Sequence, residues 1–522
     1  MLRDVCAGLA FIKELKPYVR EPLCFEQAEA RIRQQLSQRE EGFLRVLRQA
    51  VYGYAPSPYL ALLRHAQIAY QDVEALVRQR GVESTLDRLY DEGIHITLDE
   101  FKGRAPIERP GLSLPVSSAA FDSPILEGAM TFASGGSGGY RRRLRIDPAS
   151  LRYEAAYNLL YERAVSAEGM PFAQWRPILP GSAGIKDAMR QAMARRPVAR
   201  WFSQVDPRHL DGHAVLTRLA VGAARAWGAD IAMPRYVPAD DAGQVARWLA
   251  SQAAAGHPAL ISMTGSSAVR VCQAAEQLGV DITGTLFRLG GEPYTEARAE
   301  VIHAAGARAV THYSMSELGR IGLSCGAPEH VDDVHLLSDK LALIQRPPRG
   351  THAGDGLLAW HLTTLIATLP KIMLNVETGD YGGVEQRDCG CLLGQLGLST
   401  HLHTIRSYEK LTTEGMHFTA SALLHLVEEE LPRRFGGAPG DYQLVEHQSG
   451  GVSRVLLVVS PRVGALDEAA VVATALRELA TDAGTRMMAS HWERVRTLRV
   501  VRREPYVTAA AKIQPLHIER SL

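Results

Sequence analysis

Thr131-Phe132-Ala133-Ser134-Gly135-Gly136-Ser137-Gly138-Gly139-Tyr140-Arg141-Arg142 is the stretch on which the reading of this chain turns. A β-prone run over 128–133 leads into it and a second over 141–146 leads out, with four glycines and two serines between. Glycine admits positive φ and close approach of a ligand to the main chain. Consecutive free N–H groups in such a turn form an anion-binding concavity, and serine hydroxyls add donors, so phosphate is the guest to expect. No Gly-Lys-Ser or Gly-Lys-Thr follows, and the next element reads as strand, which excludes an ordinary P-loop. The strand–GxGxxG–helix context of a dinucleotide site is absent too. A tight hairpin whose glycines serve only the turn is the competing reading.

Outward from this stretch, strand-like and helix-like segments alternate to about residue 320. A helix is expected over 148–165, a strand over 175–179, a strand–helix pair over 259–263 and 266–277, another over 285–289 and 295–305, and a strand over 308–312. This pattern predicts α/β layers with a largely parallel sheet flanked by helices. Ligands of such sheets gather at the carboxyl ends of strands, so the loops after Ala133, Leu289 and His312 should face one site. Gly290-Gly291-Glu292-Pro293 lets a flat group lie on the backbone, although it also fits a turn before a capped helix. In Tyr313-Ser314-Met315-Ser316-Glu317, a hydroxyl and a carboxylate stand side by side. They could hold a phosphate oxygen and its Mg2+, which prefers oxygen ligands shared with phosphate. Beyond Gly322 the segments become shorter and strand-rich, with strands expected over 334–337, 341–344, 356–362 and 371–376. Glu377-Thr378-Gly379-Asp380 reads as a turn closing the last of these, its aspartate suited to the paired hydroxyls of a ribose or to a plain turn.

At 522 residues the chain should hold at least two domains. The expected division is 1–405, with 1–115 mainly helical and 116–405 α/β and strand-rich, followed by a small α+β domain over 406–522. Hydrophobic residues make up 46% and charged ones 22%, an ordinary globular composition. A net charge of +1 gives no reason to expect nucleic acid or an anionic membrane as partner. No apolar run is long enough to span a bilayer, and the short N-terminal apolar patch lacks the form of a signal peptide, so a cytoplasmic protein is expected. Six cysteines do not suggest a disulfide scaffold. Cys325 and His330 on one side, with Cys389 and Cys391 on the other, offer three thiolates and an imidazole, a tetrahedral set for structural zinc. His335 is a substitute for His330, and reduced surface thiols are the rival reading.

Taken in order, the glycine-serine loop, Gly-Gly-Glu-Pro, Tyr-x-x-Ser-Glu, Thr-Gly-Asp, the lone Arg406 and the terminal Lys512 resemble the adenylate-forming superfamily of acyl-CoA synthetases, most of all the phenylacetate–CoA ligase branch with its acyl-protein synthetases. The resemblance implies that Ser134, Gly135, Gly136, Ser137 and Gly138 hold the β- and γ-phosphates of ATP. It sets Gly291, Glu292 and Pro293 against adenine and Tyr313 beside the base. Ser316 is then the α-phosphate hydroxyl, Glu317 the magnesium ligand and Asp380 the ribose carboxylate. Arg406 becomes the hinge arginine, and Lys512 the lysine bridging carboxylate and α-phosphate. Relatives in that branch also show a Cys…His…Cys-x-Cys pattern like that of Cys325, His330, Cys389 and Cys391. The implied activity is formation of an acyl-adenylate from ATP and a carboxylic acid. Transfer to coenzyme A or a carrier-protein phosphopantetheine follows, with an amine acceptor or a non-catalytic binder as alternatives and a homodimer as a further expectation. The acid pocket is expected to draw on Thr264, Gly265, Ser266, Arg288, Leu289, Gly290, His312, Ser314 and Met315, which suits an aromatic or modest-sized acid. Here Tyr140-Arg141 stands where the superfamily loop usually ends in Pro-Lys, and Ala511 replaces the glycine before the terminal lysine.

Overall fold

Short apolar runs separated by amphipathic helices give a mixed α/β structure built on a twelve-stranded sheet. The computed structural model describes residues 13–126, 130–134, 142–146, 148–179, 181–205, 213–348, 357–407, 411–413, 416–418, 423, 425–438, 440–449, 452–480, 483–506 and 516–518. Six strands are parallel neighbours: Arg308–Met315, Leu286–Leu289, Leu260–Met263, Phe172–Trp175, Val198–Ser203 and Pro234–Tyr236, in that spatial order. The other six are antiparallel, running outward from Gly319–Ser324 through Val334–Leu336, Thr400–Ser407, Val376–Gln386 and Ala359–Thr364 to Leu341–Arg346. Arg308–Met315 is where the pairing changes from parallel to antiparallel.

The parallel strands read as unbroken apolar runs because both faces are covered. Successive residues point to opposite faces. Phe172, Leu260 and Leu286 therefore join one core, with the helices Pro148–Ala164 and Ala183–Met193. Ala173, Ile261 and Phe287 join a second, with Ala242–Ala254 and Gly265–Leu278. Each fully buried Phe or Leu contributes roughly 1.5–3 kcal/mol, so a one-residue register slip would exchange the two cores and is strongly disfavoured. The N-terminal helices, among them Phe25–Ser37 and Tyr70–Asp91, pack on the first core. Toward the C-terminus, the strands Leu498–Arg502, Val452–Val459, Tyr442–Ser449 and Leu516–Ile518 form a four-stranded sheet. It has its own core around Leu423, Leu444, Leu457, Val471 and Trp492.

The structure corrects several expected boundaries. The strand expected over 175–179 is Phe172–Trp175, because Pro177 cannot donate to a ladder and ends it. Arg308–Met315 runs three residues past His312 and pairs with Gly319–Ser324, so Tyr313, Ser314 and Met315 are strand rather than loop. Residues 371–375 lie outside any strand, with Asn375 at φ 50°. The Thr-Gly-Asp segment is not a closing turn. It lies inside Val376–Gln386, where Trp360 of the neighbouring strand faces the three residues Thr378, Gly379 and Asp380. This is a bulge, made possible by Gly379 at φ 76°. The helix Ala483–Arg494 has no counterpart in the sequence reading.

Candidate active site

A cavity of about 330 Å3 opens at the end of the junction strand. One wall is the Gly290–Pro293 turn, which follows the parallel strand Leu286–Leu289. A second is the hairpin from Thr311 to Arg320, and a third is formed by Thr378, Asp380, Ile405 and Arg406 from the antiparallel half. Segments more than a hundred residues apart therefore meet where the strand pairing changes, the position at which α/β sheets bind ligands.

The bulge turns Asp380 into this cavity, and its carboxylate accepts a 2.7 Å hydrogen bond from the Tyr313 hydroxyl. Thr378 Oγ1 accepts the Asp380 N–H at 3.1 Å and donates to the Trp360 carbonyl at 3.0 Å, which fixes the bulge. The Tyr313 ring stands edge-on to Trp360, with centroids 5.6 Å apart. Burial, then the Asp380 carboxylate, pushes the Tyr313 phenol well above its ordinary value, so it stays a donor. Arg406 pairs with Asp332 at 3.3 Å. Asp332 also accepts the N–H groups of Thr404 and Ile405 at 2.8 Å each, clamping the strand that carries the arginine. Ser314, Met315 and Ser316 line the cavity. Glu317 does as well, ion-paired with Lys102 from the helix Leu98–Lys102, both side chains 12% exposed.

Gly290 lies against the His312 ring. A Cβ there would sit 2.3 Å from the imidazole, so only glycine fits. Burial, then Arg320 and Arg176, holds His312 well below its ordinary value, so the ring is neutral. Two expected residues are engaged elsewhere. Although Glu292 reaches the cavity wall, its carboxylate accepts the Ser266 N–H at 3.0 Å and pairs with Arg298 at 2.8 Å. It acts as an anchor for the helix N-terminus rather than a free ligand. Gly265 does not line the cavity. It packs on the Arg298 guanidinium, 2.7 Å from where a Cβ would be. Arg288 is fully buried behind the cavity wall. Ser134 is described as strand backbone paired with Arg142, whereas Gly135, Gly136, Ser137, Gly138 and Lys512 lie outside the described residues.

Sequence reasoning missed the far end of the cavity, lined by Arg176, Lys186, Asp187, Arg190 and Arg320. Asp187 binds Arg190 at 2.8 Å, lies 3.4 Å from Arg288 and 3.8 Å from Arg320, and accepts the Ser262 hydroxyl at 2.7 Å. Glu154 accepts the Arg320 N–H at 3.0 Å and pairs with Arg190. Burial lowers Lys186 to about 8 against the pull of Glu154. It lowers Arg320 to about 9, helped by Arg190 and Arg288. The available signal was single charges inside apolar runs: Arg176 after Phe172–Trp175, Arg288 within Leu286–Leu289, and Lys186, Asp187 and Arg190 on the apolar helix Ala183–Met193.

The cysteines also meet, but with a different histidine. His335 Nε2 lies 3.2 Å from Cys391 Sγ and 3.6 Å from Cys389 Sγ, and its Nδ1 donates to the Leu398 carbonyl at 2.5 Å. Ligand atoms of Cys325, His335, Cys389 and His401 lie within 4.8 Å of one another. His401 Nδ1 faces Asp333 at 2.7 Å, and its Nε2 is buried without a hydrogen-bond partner. His330 stands apart, stacked on His403 at 3.9 Å. Cys325, Cys389, His335 and the orphaned His401 nitrogen make one four-donor set, with Cys391 beside His335 as a fifth candidate, and any four of these suit a tetrahedral soft-metal site.

The overall fold is similar to that of a solved acyl-CoA ligase. The structure of a 2-hydroxyisobutyryl-CoA ligase in complex with 2-HIB-AMP and CoA in the thioesterification state is similar at TM-score 0.51 and 12% identity, over 96% of this chain and 91% of that one. An open conformation of the same ligase aligns at TM-score 0.45 and 13% identity over 95% and 93%. The amide bond synthetase McbA from Marinactinospora thermotolerans aligns at 0.42 and 11% over 74% and 67%. No protein-family model matches the chain, and no curated protein matches it. No helix among the described residues is long and apolar enough to cross a membrane.

Proposed function

We propose that this chain is an ATP-dependent ligase that activates a carboxylic acid as its acyl-adenylate and passes the acyl group to a thiol, coenzyme A or a carrier-protein phosphopantetheine. The supporting observation is the convergence of Gly290–Pro293, Tyr313–Glu317, Asp380 and Arg406 on one cavity. In this reading a carboxylate oxygen attacks the α-phosphorus of ATP in line. The bond to pyrophosphate breaks, and pyrophosphate leaves with the electron pair. Such transfers rest on positioning and charge neutralisation. Asp380 would take the ribose hydroxyls, Tyr313 and the Gly291–Pro293 backbone the base, and Ser316 the α-phosphate. Glu317 would hold Mg2+ once Lys102 turns from it to phosphate. Ser134 to Gly138 and Lys512 take the phosphate and bridging roles, and Arg406 marks the hinge between 1–405 and a mobile 406–522 lid. Zinc, held by Cys325, His335, Cys389 and Cys391, would tie the strand-rich segments together as a structural ion.

The test is ATP–pyrophosphate exchange by the purified chain across a panel of carboxylic acids. Acid-dependent exchange supports the reading. Absence of exchange with every acid, together with absence of ATP binding by calorimetry, removes it.

A further inference from the structure

The far end of the cavity carries more positive charge than its own carboxylates neutralise. Arg176, Lys186, Arg190 and Arg320 line it, with Arg288 buried behind them, and all but Lys186 are less than 10% exposed. Among the described residues, the carboxylates ion-paired with this cluster are Asp187 and Glu154. Glu317 is ion-paired with Lys102 and Glu292 with Arg298, and they act on Lys186 and Arg176 only at longer range. Five cations therefore have two carboxylates in direct ion pairs among the described residues. Several of their donors are buried with no hydrogen-bond partner: all three nitrogens of the Arg288 guanidinium, Nε and Nη2 of Arg320, and Nε of Arg190. Buried guanidinium groups are costly unless paired and hydrogen-bonded. An arrangement that leaves so many donors open is complete only with a further anion.

The ribose and hinge contacts of the proposed nucleotide site do not account for this. Asp380 and Arg406 mark the nucleotide end on the antiparallel half of the sheet. The cationic end is built mainly from the parallel half, with Arg320 added from the first antiparallel strand, Gly319–Ser324. There Arg176 is held by hydrogen bonds from Nε to the Ser262 hydroxyl at 3.3 Å and from Nη1 to the Gly290 carbonyl at 3.2 Å. Resting on the reading of this site as acid-activating, we infer that the acid bears a second oxyanion, most simply a second carboxylate. Arg176 and Arg320 receive it while the first carboxylate faces the α-phosphate. The bidentate fork of arginine suits such a group better than a lysine would.

The experiment compares matched acids in pyrophosphate exchange: each uncharged-tail monoacid, its ω-carboxylate and its ω-sulfonate. The expected result is a kcat/KM at least tenfold higher for one or both dianionic members. Arg176→Gln should cut that ratio at least tenfold and Arg176→Lys less. A ratio measured within one variant is insensitive to how much of it folds. Exchange that runs faster with uncharged acids overturns the inference and leaves the adenylation reading intact. Calorimetry with dicarboxylates and with pyrophosphate, each added alone, separates the remaining cases. Dicarboxylate binding without exchange keeps the anion site and removes adenylation. Binding of pyrophosphate but not of dicarboxylates, lost in Arg176→Gln, assigns the cluster to the triphosphate and overturns the inference.

Discussion

Replacing Asp187 by Asn removes one negative charge from the cationic end while preserving shape and the ability to accept the Ser262 hydroxyl. The carboxylate faces Arg190 at 2.8 Å, Arg288 at 3.4 Å and Arg320 at 3.8 Å. Against the upward push of burial, these arginines hold it far below the usual carboxylate range. Breaking a buried ion pair by removing one partner costs roughly 3–5 kcal/mol, because the other charge stays buried without compensation. Here three guanidiniums lose their shared counter-ion, so the upper part of that range applies. In a chain of this size, that lowers Tm by roughly 4–5 °C. Trp201 is a local reporter, since its indole N–H donates to the Arg176 carbonyl at 3.0 Å, and its fluorescence follows the melt. Arg288→Met removes a cation that pairs with Asp187 but makes no hydrogen bond through its guanidinium nitrogens, so the double variant should be less destabilised than the two singles summed, by about 0.5–3 kcal/mol. A Tm for Asp187→Asn within about 2 °C of the parent, or additive singles, would refute the claim that this carboxylate balances an over-charged cluster.

Glu317→Ala should slow Mg2+-dependent pyrophosphate exchange at least tenfold, and a near-normal rate would remove the carboxylate from the metal's coordination. Lys512→Ala should abolish adenylation yet leave transfer from preformed acyl-adenylate largely intact, and equal loss of both steps would contradict its bridging role. Elemental analysis should find about one zinc per chain. His335→Ala should lose it and melt earlier, and His330→Ala should keep it; the reverse pattern would restore the original ligand assignment. Asp333 offers a pH test. Burial pushes its carboxyl up, but hydrogen bonds from His401, the Glu329 N–H and Arg387 outweigh this and hold it at about 2. A depressed carboxyl stabilises fully above its unfolded value near 4 and loses that contribution as pH falls toward 2, about 2 kcal/mol in all. Asp333→Asn should therefore flatten the loss of stability between pH 4 and 2, and an unchanged acid limb would show that the group is not tied to folding.

Alternation of strand-like and helix-like segments made the α/β architecture legible, and the motifs one end of the cavity, because Gly-Gly-Glu-Pro, Tyr-x-x-Ser-Glu and Thr-Gly-Asp are local in sequence. Their backbone states were less legible. Thr378-Gly379-Asp380 has turn composition, yet pairing on both sides makes it a bulge within a strand. The anchoring of Glu292 was not legible because its partners, Ser266 and Arg298, approach only through packing of two helices. His330 and His335 could not be ranked by spacing, since Cys389 and Cys391 arrive from more than fifty residues away. The cationic end was hidden because isolated arginines in apolar strands look like a solvated face, and only tertiary packing shows that they converge.

Because a single strand, Arg308–Met315, borders both kinds of pairing, the proposed substrate complex lies across the seam between two separately wound halves of one sheet. On the proposed reading, substitutions around Arg176 can change which acid is taken while Asp380 and Arg406 keep their hold on the nucleotide.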